Sequence, residues 1–423
     1  MSNTSKIFSV LKEKNALDIF ASTFITKAIA FLGSIALIQL LSKQDYGLLG
    51  SLENIYAYIQ LLAGLGLNNA ALRWLVLKDS PAERKGIFAN TLVFGTTFNI
   101  MLVAITVIAF YLFPIEAAFD NIIWMLPIML VAILFQYVYE TGVFSLRALL
   151  KNRTFAILSI VSAFLVWGSK IFLTVIFGLE GAIFSWPAAY AIIATIVLLI
   201  FFCGIFKGIK SLPVSKIELR SMLFYSIQYM VANGLWSLFL QNNILMIGWL
   251  TNSPEYIADY KAANVFPTIL ALLSSSIGML VFPYFVKHEK DPNWIWKNYK
   301  RVLLGNIGVV AIAALFFGLL AEPLILFLYG ERYKNITFLT ILLLTGGFLN
   351  SGIRYISAHL IAAVGKIQIN TIVAASGILA QIILNLLLIP LLGVYGVALT
   401  EIAVQLGMAT ATTISFIKIY RNT

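Results

Sequence analysis

Runs of about 20 apolar residues recur along this 423-residue chain, and its cations gather between alternate runs. A run of that length crosses the hydrocarbon core as a helix, because a helix satisfies its own backbone hydrogen bonds. Hydrophobic residues make up 61% of the chain and charged residues only 11%. A soluble domain carries roughly 25% charge, so there is too little polar surface for water. The pattern predicts an all-α polytopic membrane protein.

Twelve spans are read, at 17–41, 47–67, 87–112, 122–144, 154–177, 181–206, 223–250, 257–285, 302–320, 337–363, 367–388 and 394–417. The connections are short, and none holds an extramembrane domain. Lys6, Lys12 and Lys14 precede the first span. Even-numbered connections carry Arg73, Lys78, Arg84, Lys85, Arg147, Lys151, Arg153, Lys207, Lys210, Lys216, Arg220, Lys287, Lys290, Lys297, Lys300, Arg301 and Lys366. Lys418 and Arg421 follow the last span, while the odd connections hold only Lys43, Arg332 and Lys334. Positive residues stay inside, which predicts a multi-pass membrane protein with both termini cytoplasmic and the odd connections facing outward. The net charge of +11 is then basic loops against an anionic leaflet, and no nucleic-acid partner is expected. Cys203 is the only cysteine, and His288 and His359 are the only histidines. No internal disulfide and no zinc site is expected, and no cleavable signal peptide is read.

The chain echoes itself. Asp45-Tyr46 and Glu53-Asn54 return as Glu255-Tyr256 and Ala263-Asn264. Gly178-Leu179-Glu180-Gly181 returns as Gly393-Val394-Tyr395-Gly396. Both echoes sit in matching topological places. They predict two pseudo-symmetric six-helix lobes, 1–206 and 223–423, joined by a cytoplasmic linker at 207–222. Such repeats suit transporters that rock one half against the other.

A charge near the bilayer midplane costs at least ~2.5–3.5 kcal/mol, so each needs a partner or a wet cavity. Lys27 in span one and Arg354 in span ten are the deepest; each reads as a cavity ligand or half of a structural ion pair. Arginine's planar fork suits phosphate oxygens. Glu53, Glu401 and Asp259 read as counter-charges or as ion-coupling groups. Lys170 and Lys261 read as ligands or as side chains snorkelling to the outer surface. Glu140 reads as an interfacial carboxylate or a functional one, and His359 as interfacial. Span seven carries Gln228, Asn233, Gln241, Asn242 and Asn243, which either bond between helices or wall a hydrophilic cavity. Pro267 and Gly234 are candidate bends. No phosphate loop, HExxH or nucleophile–His–acid set is present, so a transporter, not an enzyme, is expected. The largest outer connection, 321–336, is short for a polymerase.

Several segments together resemble one family. These are LLSKQDYGLLGSLENIYAYIQLLAGLGLNNAALRW, YIADYKAANVFP, LYGERYKNITFLTILLL and NLLLIPLLGVYGVALTEIAVQL. Spread over the whole chain, they resemble polysaccharide transporters of the O-antigen flippase group. That group belongs to the multidrug/oligosaccharidyl-lipid/polysaccharide exporter superfamily. The resemblance implies about twelve transmembrane helices in a V-shaped, two-lobed transporter with a central cavity. It implies flipping of an undecaprenyl-pyrophosphate-linked oligosaccharide to the outer leaflet by alternating access. Lys27 and Lys261 fall where the family presents positive charge to its cavity, whereas the lipid II flippase pattern favours arginines in the first two spans. The expected cavity set is Lys27, Arg354, Lys261, Lys170, Asn54, Asn264, Gln241 and Asn242. No cofactor is expected beyond coupling to a proton or sodium gradient. Expected partners are the lipid-linked oligosaccharide, membrane lipid and a polysaccharide polymerase complex. The rival readings are a cation or drug exporter of the same superfamily and a membrane polysaccharide polymerase.

Overall fold

A computed structural model describes residues 16–112, 123–288 and 291–420. Lys6, Lys12, Lys14, Lys290 and Arg421 lie outside the described residues. The order is α1 (Ala16–Leu40), α2 (Lys43–Gln60), α3 (Leu67–Leu77), α4 (Pro81–Leu112), α5 (Leu126–Ala148), α6 (Asn152–Leu198) and α7 (Lys216–Thr251). It continues through α8 (Pro254–Ala263), α9 (Val265–Lys287), α10 (Pro292–Leu319), α11 (Ala321–Tyr329) and α12 (Thr337–Phe348). The last three are α13 (Tyr355–Ala363), α14 (Ile367–Leu392) and α15 (Val394–Tyr420). Among the described residues, nine segments are long and apolar enough to cross a membrane. One of them, Asn152–Ile205, is 54 residues long, or about 80 Å at 1.5 Å per residue. It supplies two crossings, because it folds back at Gly178 (φ 59°, ψ −134°). Expected spans two and seven are the helices α2 and α7. The protein is a multi-pass membrane protein.

Contacts divide the chain into two compact units. The first comprises Met1–Leu41 and Ile55–Asn233, and the second Ser42–Asn54 and Gly234–Thr423. α7 runs unbroken through Gly234. Residues 207–215 pack on the start of α4: the Leu212 amide donates to the Ala82 carbonyl at 3.1 Å. The Lys85 ammonium donates to the Ile209 carbonyl at 2.7 Å.

The first unit has an aromatic core in which Phe88 stacks on Phe201 at 4.1 Å. In the second, Tyr299 stacks on Phe416 at 4.0 Å. The glycine echo is structural. Gly393 has φ 57° and ψ −135°, nearly the Gly178 values, in a region only glycine enters cheaply. Three residues after each, Gly181 and Gly396 pass so close to the carbonyls of Leu173 and Leu388 that no Cβ would fit.

Two expectations need correction. Span eight is two helices, α8 and α9, meeting at Asn264. Pro267 has no N–H for the Ala263 carbonyl four residues back. The neighbouring Ala262 carbonyl instead accepts from the Tyr329 hydroxyl at 3.3 Å. The expected outer connection 321–336 is helical too, as α11 followed by a 3-10 turn at Glu331–Ile336. Its leucine-rich sequence folds because Ile325, Tyr329 and Tyr333 are buried.

Candidate functional site

In the second unit, two ion pairs fasten the start of α2 to α8. The Lys43 ammonium lies 2.7 Å from the Asp259 carboxylate, and Lys261 lies 2.5 Å from Glu53. Each helix contributes one acid and one base. Two residues apart, Asp259 and Lys261 point in different directions on α8 and so meet different partners. Each helix begins at a serine cap: the Asp45 amide donates to Ser42 Oγ at 3.0 Å and the Tyr256 amide to Ser253 Oγ at 3.3 Å. Gly47 lies so close to the Pro254 carbonyl that a Cβ would overlap it. Asn54, the residue after Glu53 on α2, donates to the backbone and side-chain oxygens of Gln241 at 2.9 and 3.0 Å.

Below them lies a polar cluster around Asn243. Its amide donates to Glu401 Oε2 at 2.8 Å and to the Tyr260 hydroxyl at 3.0 Å, and its oxygen accepts from Asn385 at 2.9 Å. Gln405 donates to Glu401 Oε1 at 3.1 Å. Asn242 bonds Gln381 at 3.1 Å. Arg354 is 8% exposed and donates to Asn350 Oδ1 at 2.9 Å, with the Glu401 carboxylate in electrostatic reach. It is carried inward by a π-helical turn, Leu349–Arg354. The carbonyls released there accept from Asn306 (Ser351 and Gly352, each 2.8 Å) and from Ser274 (Ser351, 2.7 Å). Asn264 is the hinge between α8 and α9, its backbone N–H bonded to Tyr260.

The first unit contains a cavity of about 380 Å³, within the roughly 300–1,000 Å³ of small-molecule sites. α1 contributes Ser22, Thr23 and Thr26 to its lining. α6 contributes Ser159, Ser162 and Trp167 from before its fold and Tyr190 from after it, while α5 contributes Tyr139. Lys27, next to Thr26 on α1, is exposed and makes no ion pair among the described residues. Lys170 is a different case. The snorkelling reading fails, because Lys170 is 4% exposed and sits 4.2 Å from the Trp186 ring and 5.4 Å from Trp167. Two aromatic faces replace the water an ammonium would otherwise seek.

Sequence reading missed the pairing of α2 with α8, although the acid-Tyr echo marked both helices. It also missed the hydroxyl groups of α1 and α6. Their signal was present as serines and threonines spaced at Ser22, Thr23, Thr26 and at Ser159, Ser162, one helical face each.

Fold and composition define a helical, multi-pass membrane protein. The structure is similar to a lipid II flippase, MurJ, in an inward closed conformation: TM-score 0.76, 15% identity, covering 95% of this chain and 89% of that one. It is also similar to an inward-facing multidrug resistance MATE family transporter of the MOP superfamily: TM-score 0.71, 13% identity, covering 94% and 96%. A third similar structure is a MOP superfamily transporter from Pyrococcus furiosus described as having a binding pocket of reverse polarity: TM-score 0.59, 13% identity, covering 94% and 96%. No curated protein sequence gives a significant match. The family described as "Polysaccharide biosynthesis protein" matches residues 13–289, so the chain belongs to that family.

Proposed function

We propose that this protein flips an undecaprenyl-pyrophosphate-linked oligosaccharide from the inner to the outer leaflet of the bacterial cytoplasmic membrane by alternating access. The observation that carries this reading is the hydroxyl- and aromatic-lined cavity in the first unit. Sugars present hydroxyls that lose water at a few kcal/mol each unless a partner replaces it. Ser22, Thr23, Thr26, Ser159 and Ser162 are such partners, and the face of Trp167 suits the apolar side of a sugar ring. Lys27, exposed and one residue along α1 from Thr26 of that lining, offsets pyrophosphate charge. The prenyl tail stays in lipid, where it loses nothing. An inside-negative potential moves the anionic headgroup outward, at about 2.3 kcal/mol per charge per 100 mV. Glu401, Glu53 and Asp259 are candidate coupling groups. Of these, Glu401 alone is not bonded to a lysine, whereas Glu53 and Asp259 hold α2 against α8.

The test is flipping of a fluorescent lipid-linked oligosaccharide by purified protein in vesicles, alongside surface polysaccharide normalised to protein level in cells. A charge-assisted contact is worth about 1.5–3 kcal/mol, so Lys27→Ala slows flipping roughly 10–100-fold. Wild-type protein that leaves the probe in its starting leaflet overturns the proposal.

A further inference from the structure

The hydroxyls of the first-unit cavity are mostly acceptors. Ser22 and Thr23 both donate to the Ile19 carbonyl, at 3.0 and 2.7 Å. Thr26 donates to the Thr23 carbonyl at 2.9 Å, and Ser162 to the Leu158 carbonyl at 2.7 Å. A hydroxyl has one proton and a carbonyl has none to return, so these four oxygens can only accept from a ligand. The donors left in the lining are the Ser159 hydroxyl, the phenols of Tyr139 and Tyr190 and the Trp167 indole, all neutral. Among the described residues, none of the twelve that line the cavity is charged.

Three cations border the lining without joining it. Lys27 follows Thr26 but leaves α1 about 100° further round the helix. Lys170 is buried against the Trp186 and Trp167 rings. Arg147 is exposed and lies 5.9 Å from the centre of the Phe155 ring. The carboxylate nearby works in the same sense. Glu140 on α5 accepts amide N–H groups from Gln60, Gln136 and Asn68 and is electrostatically coupled to Tyr139 and Tyr190. A carboxylate coupled to two lining phenols disfavours a second one among the lining groups. The Trp167 ring is meanwhile fixed as a platform, because Gly33 on α1 passes so close to it that no Cβ would fit. A sugar hydroxyl or acetamido N–H can give its proton to the four accepting oxygens. A sugar carboxylate or phosphate only accepts, and on entering it trades water for a site without a charged donor.

We infer that this cavity selects uncharged sugar units, neutral hexoses or N-acetylated amino sugars, and refuses uronic acids and phosphorylated sugars. The inference rests on the transport reading and narrows its substrate to a headgroup whose negative charge is confined to the pyrophosphate. The experiment compares three fluorescent prenyl-pyrophosphate disaccharides in vesicles of the full-length protein at zero membrane potential. They end in glucose, glucuronic acid or glucuronamide, the last matching the acid in size without its charge. The glucose and glucuronamide probes should cross at similar rates and the glucuronic acid probe roughly tenfold slower or more, the cost of a carboxylate without a charged donor. Ala163→Lys, which sets an ammonium in the lining, should close most of that gap by speeding the acid probe. If Ala163→Lys does not accumulate, Thr26→Lys on α1 makes the same test. Equal rates for glucose and glucuronic acid overturn the inference while leaving the transport reading intact. So does a glucuronamide probe as slow as the acid, which would make size the criterion, or an unchanged gap in the lysine variant. Movement of none of the three probes overturns the transport reading itself, and this inference with it.

Discussion

Removing the lysine from the Glu53–Lys261 pair should loosen the second unit more than removing both charges. The two groups are 2.5 Å apart with side chains 16% and 22% exposed. At an effective dielectric near 20, the gross attraction at that distance is about 6–7 kcal/mol. Desolvation of both ions takes back most of it. Lys261→Met leaves Glu53 partly buried without its cation, a loss of about 2–4 kcal/mol. Lys261→Met with Glu53→Gln removes both charges and should recover at least half of that. For a unit of roughly 200 residues each kcal/mol moves the midpoint by about 2–4 °C. The single variant should therefore melt about 4–16 °C lower, and the double variant should regain much of the difference. The assay is a double-mutant cycle on thermal unfolding in detergent, followed by tryptophan fluorescence. Additive single effects, with no coupling between the two positions, would refute the claim that this pair fastens α2 to α8.

Other expectations concern separate parts of the molecule. Gly178→Ala and Gly393→Ala each force a side chain into glycine's own backbone region; each should cost about 1–3 kcal/mol, read as a lower melting midpoint at unchanged flipping per folded molecule. Gly181→Ala should be worse, because its Cβ would lie 2.0 Å from the Leu173 carbonyl oxygen; failure to accumulate in membranes is the readout. Asn243→Ala strips partners from Glu401, Tyr260 and Asn385 together and should destabilise by about 2–4 kcal/mol. Asn243→Asp, which places a second carboxylate against Glu401, should fare worse at neutral pH than at pH 5, measured as the same melting midpoint in the two buffers.

The helices were legible because apolar length and cation placement are one-dimensional signals. The glycine echo was legible for a similar reason: Gly178 and Gly393 need a backbone that other residues avoid. What lay hidden depends on rotation about helix axes. Lys170 sits at a depth from which a lysine can reach the surface, and the sequence does not show that the Trp167 and Trp186 rings lie around it. The break at Asn264 was hidden because Pro267 marks where a hydrogen bond is lost, and the bend itself falls on the residue where the carbonyls turn to new partners. Glu53 and Asp259 read as counter-charges or coupling groups, but which lysine each one meets was hidden for the same reason. Their lysines are about 200 residues away in sequence, and no periodicity links residues so far apart. Asn54, Gln241 and Asn242 were singled out as cavity polar groups, and the structure places all three in hydrogen bonds inside the second unit.

The sequence that builds the second unit is not contiguous, and this has a consequence for assembly. Residues 42–54 leave the ribosome long before α8, with which they pair. At 5–20 residues per second the wait is roughly 10–40 seconds. Throughout that interval Lys43 and Glu53 are newborn charges without mates, held at a membrane that tolerates neither well. Cutting the gene between codons 233 and 234 would therefore yield a carboxy-terminal fragment missing a strut that only the amino-terminal fragment can lend.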